Sequence, residues 1–227
     1  MERIFWAASA QGNARAIRQC ISKKIDVNAK NTQDNTAVFF AAQNGHYKCI
    51  EMLFNNGADI NLQNKDGWTP VMFASQHGHE IAALTLIASG ADLLITTKDH
   101  GSALLLSVQQ KHLQIAKHLI AALRTGYSVS KTSEIIYNAF IWSIALNHIE
   151  MFDMLLAATV DIDIAYEFSN SDNGTALILA CRLGHNKIVQ KLIGHGADVT
   201  YAPFGKSPME EAMPKTKKVL QKALKSK

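Results

Sequence analysis

The sequence predicts an all-α protein, a solenoid of helix-turn-helix units stacked in series and linked by short β-hairpin loops. Two observations carry that prediction. Gly12, Gly45 and Gly78 lie 33 residues apart, and Lys111 continues the register. Asp26-Val-Asn28, Asp59-Ile-Asn61 and the degenerate Asp92-Leu-Leu94 keep the same interval and the same phase. A period of this size marks one supersecondary unit copied repeatedly, each copy burying its apolar face against its neighbours. The next equivalents of the glycine are Asn147, after 36 residues, and Gly184, after a further 37, so short insertions interrupt the later period.

The copy running from Asn64 to Thr96 is the clearest. Asp66-Gly67 is a turn signal, and Thr69-Pro70 supplies an N-cap followed by proline at the first helical position. The first helix is short, carries small Ala74 and Ser75 that let a neighbour approach closely, and ends at Gly78, which takes a left-handed conformation at low cost. A second helix follows, with Ile81, Leu84 and Ile87 at three-residue spacing, and closes at Gly90. Gly90-Ala91-Asp92 then turns the chain outward into an extended loop.

Carried along the chain, this pattern gives one domain of six to seven units including caps, at about 1–30, 31–63, 64–96, 97–132, 133–169, 170–202 and 203–227. The stretch Ser133 to Asp163 is the most degenerate. It has no Thr-Pro start, Asn147 for the first glycine and Thr159-Val160 for Gly-Ala, while His148, Phe152, Met154 and Leu155 stay in register. Arg124 to Thr132, rich in Gly, Ser and Thr, predicts a longer loop at that junction. The first copy lacks a full hairpin and the last carries Pro214 and a lysine-rich helix, as expected of atypical terminal caps.

These residues resemble the ankyrin family, whose period is 33 and whose signature includes D-x-x-G-x-T-P-L-H, A-A-x-x-G-H and G-A-D-V-N. Matching positions are Asp34, Thr36, Ala41-Ala42, Gly45-His46 and Gly57-Ala58-Asp59-Ile60-Asn61 in one copy, and Asp172, Thr175, Gly184-His185 and Gly196-Ala197-Asp198 in another. The resemblance covers nearly the whole chain. The histidine of T-P-L-H is replaced by Phe39, Met72, Leu105 and Ile178, which predicts apolar contacts in place of its hydrogen bonds.

Composition narrows the function classes. With 48% hydrophobic and 19% charged residues and a mean hydropathy near zero, the chain is expected to fold as a soluble globular protein. Cys20, Cys49 and Cys181 form no C-x-x-C pair and are too few for a disulfide framework, which points to a reducing, cytoplasmic setting. No run approaches the length of a membrane-spanning segment, and MERIFWAASAQGN lacks the pattern of a secretory leader. The formal charge of +4 arises from KTKKVLQKALKSK, which holds six lysines and no acid; the body carries 17 basic against 19 acidic residues. Nucleic acid is therefore not the expected partner, because the charge lies on what reads as a solvated terminal helix.

Nine histidines and three cysteines invite a metal or nucleophile reading. His46, His79, His112, His148 and His185 all fall just after the glycine position, so repeat structure accounts for them. Equivalent residues in neighbouring copies stand about 10 Å apart, the thickness of a packed helical layer, too far to share zinc at about 2 Å. The cysteines read as small buried apolar residues. No phosphate-cradling loop, zinc helix or nucleophile elbow is present in the sequence. The expectation is a non-enzymatic monomer with no cofactor and no metal site.

Function then falls to surface positions that the repeat does not dictate. In the ankyrin family, hairpin tips and the exposed face of the first helix contact partners. That rule selects Thr32, Gln33, Asn35, Gln43, Asn44, Lys65, Asp66, Trp68, Gln76, His77, Lys98, Asp99, Gln109, Gln110, Arg182 and Leu183. The stripe is amide-rich, suited to a protein segment recognised by hydrogen bonds. Trp68 stands where neighbouring copies have Asn35 and Gly101; it is either a partner anchor or folds back over the adjacent helix. The segment from Leu53 to Asn61 resembles substrates of the asparaginyl hydroxylase that acts on ankyrin repeats, which implies modification of Asn61, while the residue reading is a hydrogen bond within the hairpin. Two roles stay open: an interaction adaptor, including a microbial effector in a host cytosol, and a regulatory subunit or inhibitor of an enzyme.

Overall fold

The computed structural model describes residues 1–158, 162–165 and 174–225. Thr159, Val160 and Asp172, which carry part of the repeat signature, lie outside them. The described residues form fourteen helices and no strand. The chain divides into two compact units, Met1–Ile135 and Ile136–Lys227.

The first unit contains α1 (Glu2–Ala10), α2 (Ala14–Ser22), α3 (Ala37–Gln43), α4 (Tyr47–Asn55), α5 (Pro70–Gln76), α6 (Glu80–Ala88), α7 (Ala103–Gln109) and α8 (Leu113–Gly126). The short helices α1, α3, α5 and α7 pack in sequence, and α2, α4, α6 and α8 form the layer behind. Close approach in the short-helix layer rests on Ala41, Ala42, Ala74 and Ser75, all fully buried. Phe39, Met72 and Leu105 are buried too, so apolar side chains fill the T-P-L-H positions. In two of these copies the buried hydroxyls of Thr36 and Thr69 have no hydrogen-bond partner. Ser102, in the same position, accepts from the Leu105 N–H at 3.1 Å.

Two devices join successive copies. The turn between paired helices holds Gly12, Gly45 and Gly78 at φ between +69° and +76°, with Lys111 at +63°. The histidine of the following copy packs onto that turn, and its Nε2 reaches a carbonyl of the preceding one: His46 to Ala10 at 3.0 Å, His79 to Gln43 at 2.9 Å and His112 to Gln76 at 3.2 Å. A carbonyl only accepts, so each ring carries its proton on Nε2. A Cβ on Gly45 would come within 2.7 Å of the His79 ring, which is why the turn and the histidine recur together.

The second device is asparagine. Asn28 Nδ2 donates to Gly57 O (3.1 Å) and its Oδ1 accepts from the Asp59 N–H (2.8 Å). Asn61 repeats this with Gly90 O (3.2 Å) and the Asp92 N–H (2.8 Å). The Asn61 carboxamide thus clamps the next copy, while its backbone N–H bonds within its own hairpin to Asp59 Oδ1 at 2.8 Å. Leu94 cannot do this, and the Tyr127 hydroxyl takes over, accepting from the Leu93 N–H and donating to Asp92 Oδ1.

One local expectation is overturned, and the buried face of α6 differs from its evenly spaced bulky stripe. In α6 the buried residues are Ala82, Ala83 and Leu86, whereas Ile81 is 60% exposed and Leu84 and Ile87 are half-buried. The stack selects small residues for the face that meets neighbouring helices, so the bulkiest stripe is not the core stripe. The loop expected over Arg124 to Thr132 is almost absent. α8 runs to Gly126 and α9 (Val129–Ala145) begins three residues later. Thr125 and Thr132 return their hydroxyls to carbonyls one turn earlier, so these hydrophilic residues are satisfied inside helices.

The second unit takes in the rest of α9, then α10 (Ile149–Leu156), α11 (Ala176–Leu183), α12 (Asn186–Gly194), α13 (Pro208–Glu211) and α14 (Pro214–Lys225). Phe140 and Phe152 stack at 5.4 Å in its core. Helix α11 packs on α12 and α13, and α12 packs on α14. Ile178 is buried at the T-P-L-H position, and here Thr175 caps its helix by accepting from the Ile178 N–H at 3.3 Å. Asp163 stands where Asn28 and Asn61 stand, and accepts from the Asp198 N–H at 3.1 Å.

Candidate functional site

The hairpin tips of the first unit are built by side chains one turn back. Asn31 Oδ1 accepts from the N–H groups of Gln33 and Asn35, and Asn64 Oδ1 from those of Asp66 and Trp68. Thr97 Oγ1 does the same for Gly101. The tips are joined in a row: Lys65 N donates to Gln33 O at 3.1 Å and Lys98 N to Asp66 O at 3.2 Å. These bonds leave the side chains of Thr32, Gln33, Lys65, Asp66, Lys98 and Asp99 exposed. Asn35 is half-buried, its carboxamide accepting from Asn64 Nδ2 at 3.0 Å.

The short helices supply the adjoining face. Gln43, Asn44, His77 and Gln110 are exposed; Gln76 and Gln109 are half-buried. Asn44 is committed to the Phe40 carbonyl, but the carboxamides of Gln43, Gln76, Gln109 and Gln110 have no partner among the described residues.

The stripe also contains a feature that the residue-by-residue selection missed. Phe73 on α5 lies 4.9 Å from the Trp68 ring, 5.8 Å from Phe39 and 6.3 Å from the His77 imidazole, which itself stacks on His79 at 6.2 Å. Trp68 is half-buried in this run, so part of its surface serves the fold. The signal was available: Phe40 and Phe73 occupy one register position 33 residues apart, and both remain half-buried.

Arg182 and Leu183 belong to the second unit. Arg182 Nε donates to Glu211 Oε2 at 3.0 Å, and Lys206 reaches the other carboxylate oxygen at 3.2 Å, so Arg182 ties α11 to α13. Leu183 is 41% exposed.

The groups that could suggest chemistry are structurally occupied. Burial pushes the Cys181 thiol up to about 12 and raises that of Cys49, so both stay protonated. Burial lowers the His185 pKa, with the Ala145 carbonyl opposing; that carbonyl lies close without completing a hydrogen bond of ordinary geometry, and Nε2 is buried without a partner. Among the described residues no group of three or more His, Cys, Asp or Glu could hold a metal ion, and no helix is long and apolar enough to cross a membrane.

A family model described as ankyrin repeats (3 copies) matches residues 4–97 and 104–203. The chain belongs to the ankyrin-repeat family. Ankyrin repeats in general mediate protein–protein interaction. Among solved structures, the human ASB11 ankyrin repeat domain superposes with a TM-score of 0.75 over 96% of both chains at 22% identity, a likeness of fold. No curated protein sequence matches the chain.

Proposed function

We propose that this ankyrin-repeat chain is a protein-interaction module that docks an extended segment of a partner on the short-helix face and hairpin tips of its first unit. The supporting observation is the pairing of an aromatic run, Trp68, Phe73 and His77, with unpartnered carboxamides at Gln43, Gln76, Gln109 and Gln110. Aromatic residues supply large contact area, and each carboxamide offers a donor and an acceptor to a peptide backbone. The exposed charges at the tips have both signs, Lys65 beside Asp66 and Lys98 beside Asp99, which suits a partner without a strong net charge.

Affinity capture with the wild type and with Trp68→Ala tests the reading. Retained folding with capture weakened at least about tenfold, a loss of about 1.4 kcal/mol, supports an anchor at this face. A lowered melting temperature with unchanged capture assigns Trp68 to the scaffold. When the captured protein is an enzyme, its turnover with and without the chain separates an adaptor from an inhibitor.

A further inference from the structure

A second surface lies on the second unit and differs from the short-helix face in every chemical respect. Helices α12 (NKIVQKLIG) and α14 (PKTKKVLQKALK) contain seven lysines and no carboxylate. They are fastened together by Thr216 Oγ1 donating to Asn186 Oδ1 at 2.8 Å, above buried Leu220. An open groove runs along the pair. Half-buried Ile193, Val219 and Ala223 form its floor, and exposed Gln190, Lys218 and Lys222 its rim. Asp153 of α10 neutralises Lys191 at 2.8 Å, but no acid lines the groove itself.

The charge pattern works against the local stability of α14. Lys215 and Lys217 sit in its first turn, where the helix dipole already presents its positive end. Lys217 recovers part of that cost by attracting the Glu210 carboxylate, and a surface that still carries unfavourable charge at a helix start is a place where a partner is expected.

We infer that this groove docks an acidic amphipathic helix of a protein partner, whose apolar side chains enter the floor while its carboxylates meet Lys218 and Lys222. Opposite charge along the rim directs the encounter, and the apolar floor makes the contact selective. A bilayer fits less well. The apolar residues lie between exposed ammonium groups, so a flat surface meets charge before methyl groups. A nucleic acid has no side chains to fill the floor.

The test uses the full chain and a labelled synthetic helical peptide, with leucines at i, i+4 and i+7 flanked by glutamates, read by fluorescence anisotropy. The peptide is expected to bind saturably, and the double variant Lys218→Glu/Lys222→Glu to weaken it at least about tenfold. Replacing the peptide leucines by serine should weaken it comparably. Lys23→Glu/Lys24→Glu on the first unit makes the same charge change and should leave it unaltered, as should Trp68→Ala, which separates this groove from the short-helix face. Far-ultraviolet circular dichroism checks that the variants stay helical, and Lys218→Gln/Lys222→Gln replaces the glutamate pair if they do not. Unchanged affinity in the rim variant overturns the proposal. So does equal binding of the leucine-free peptide, or tighter binding to phosphatidylserine vesicles or polyuridine RNA than to the peptide.

Discussion

The two units use the same repeat under different constraints. In the first, glycine occupies three successive inter-helix turns, and each following histidine closes a hydrogen bond to the preceding copy. In the second, Asn147 occupies the turn at φ +51°, and His185, the histidine at the equivalent place in the following copy, leaves Nε2 buried without a partner. The first unit has asparagine clamps that both donate and accept; in the second, Asp163 accepts from the Asp198 N–H through a carboxylate. A repeat therefore tolerates loss of its signature when helix packing persists: a lost signature residue is either replaced by another group, as Tyr127 does for Leu94, or leaves a weakened contact, as at His185.

The largest expected effect comes from making the first unit resemble the second. Gly45→Ala places a Cβ about where the His79 ring sits and forces a side chain into the left-handed region. The expected loss is about 2–3 kcal/mol, combining strain with a lost hydrogen bond. Urea denaturation measures it, and a loss below about 0.5 kcal/mol, the scatter of an ordinary surface change, would break the link between turn and histidine.

The reverse change should stabilise. Asn147→Gly relieves the strain of a positive φ at a non-glycine residue, an expected gain of about 1 kcal/mol. Amide exchange in α10 should slow in parallel, because the degenerate stretch around it is expected to open before α3 to α6. Unchanged exchange would place the weakness elsewhere.

The N-caps provide a smaller contrast. Thr175→Val removes a cap and should cost about 1 kcal/mol, whereas Thr69→Val removes a hydroxyl that is buried without a partner and should be nearly neutral. Equal losses in thermal melts would show that the Thr69 hydroxyl is satisfied in solution.

The smallest effect concerns pH. Burial pushes the Glu211 carboxyl upward, but hydrogen bonds and charge from Arg182 and Lys206 outweigh it and hold the pKa below the usual carboxylate value. A folded pKa depressed in this way contributes stability above the unfolded value and loses it as pH falls through the folded one. Glu211→Gln should therefore lower the melting temperature at neutral pH by the equivalent of less than about 1 kcal/mol and leave it unchanged near the acid end of the carboxylate range. A difference that persists in acid would mean that packing, and not charge, is responsible.

Much of this was legible in the residues. Gly12, Gly45 and Gly78 mark turns where a backbone of positive φ meets a histidine ring, and Gly184 marks one that meets Met213, so their spacing carries the fold directly. The hairpin-tip residues were equally readable, because Asn31 and Asn64 organise their own turns locally. The misreading has a physical cause. Arg124 to Thr132 looked like a loop because its glycine and hydroxyl content describes the segment alone, whereas helix length was set by the neighbouring elements.

The sequence by itself determined the period, the turns, and the helix starts and stops that glycine or an N-cap marks, since each depends on a few adjacent residues and their backbone preferences; the α8–α9 junction, read as a loop, escaped it. Tertiary structure decided which face of each helix is buried, that Asn28 and Asn61 reach forward to the next copy, that Phe73 brings Trp68 and His77 into one aromatic run, and that α12 and α14 enclose a lysine-rimmed groove. The asparagine clamps and the groove depend on residues roughly a full repeat apart, and the buried faces and the aromatic run on how neighbouring helices pack, which no local backbone preference encodes.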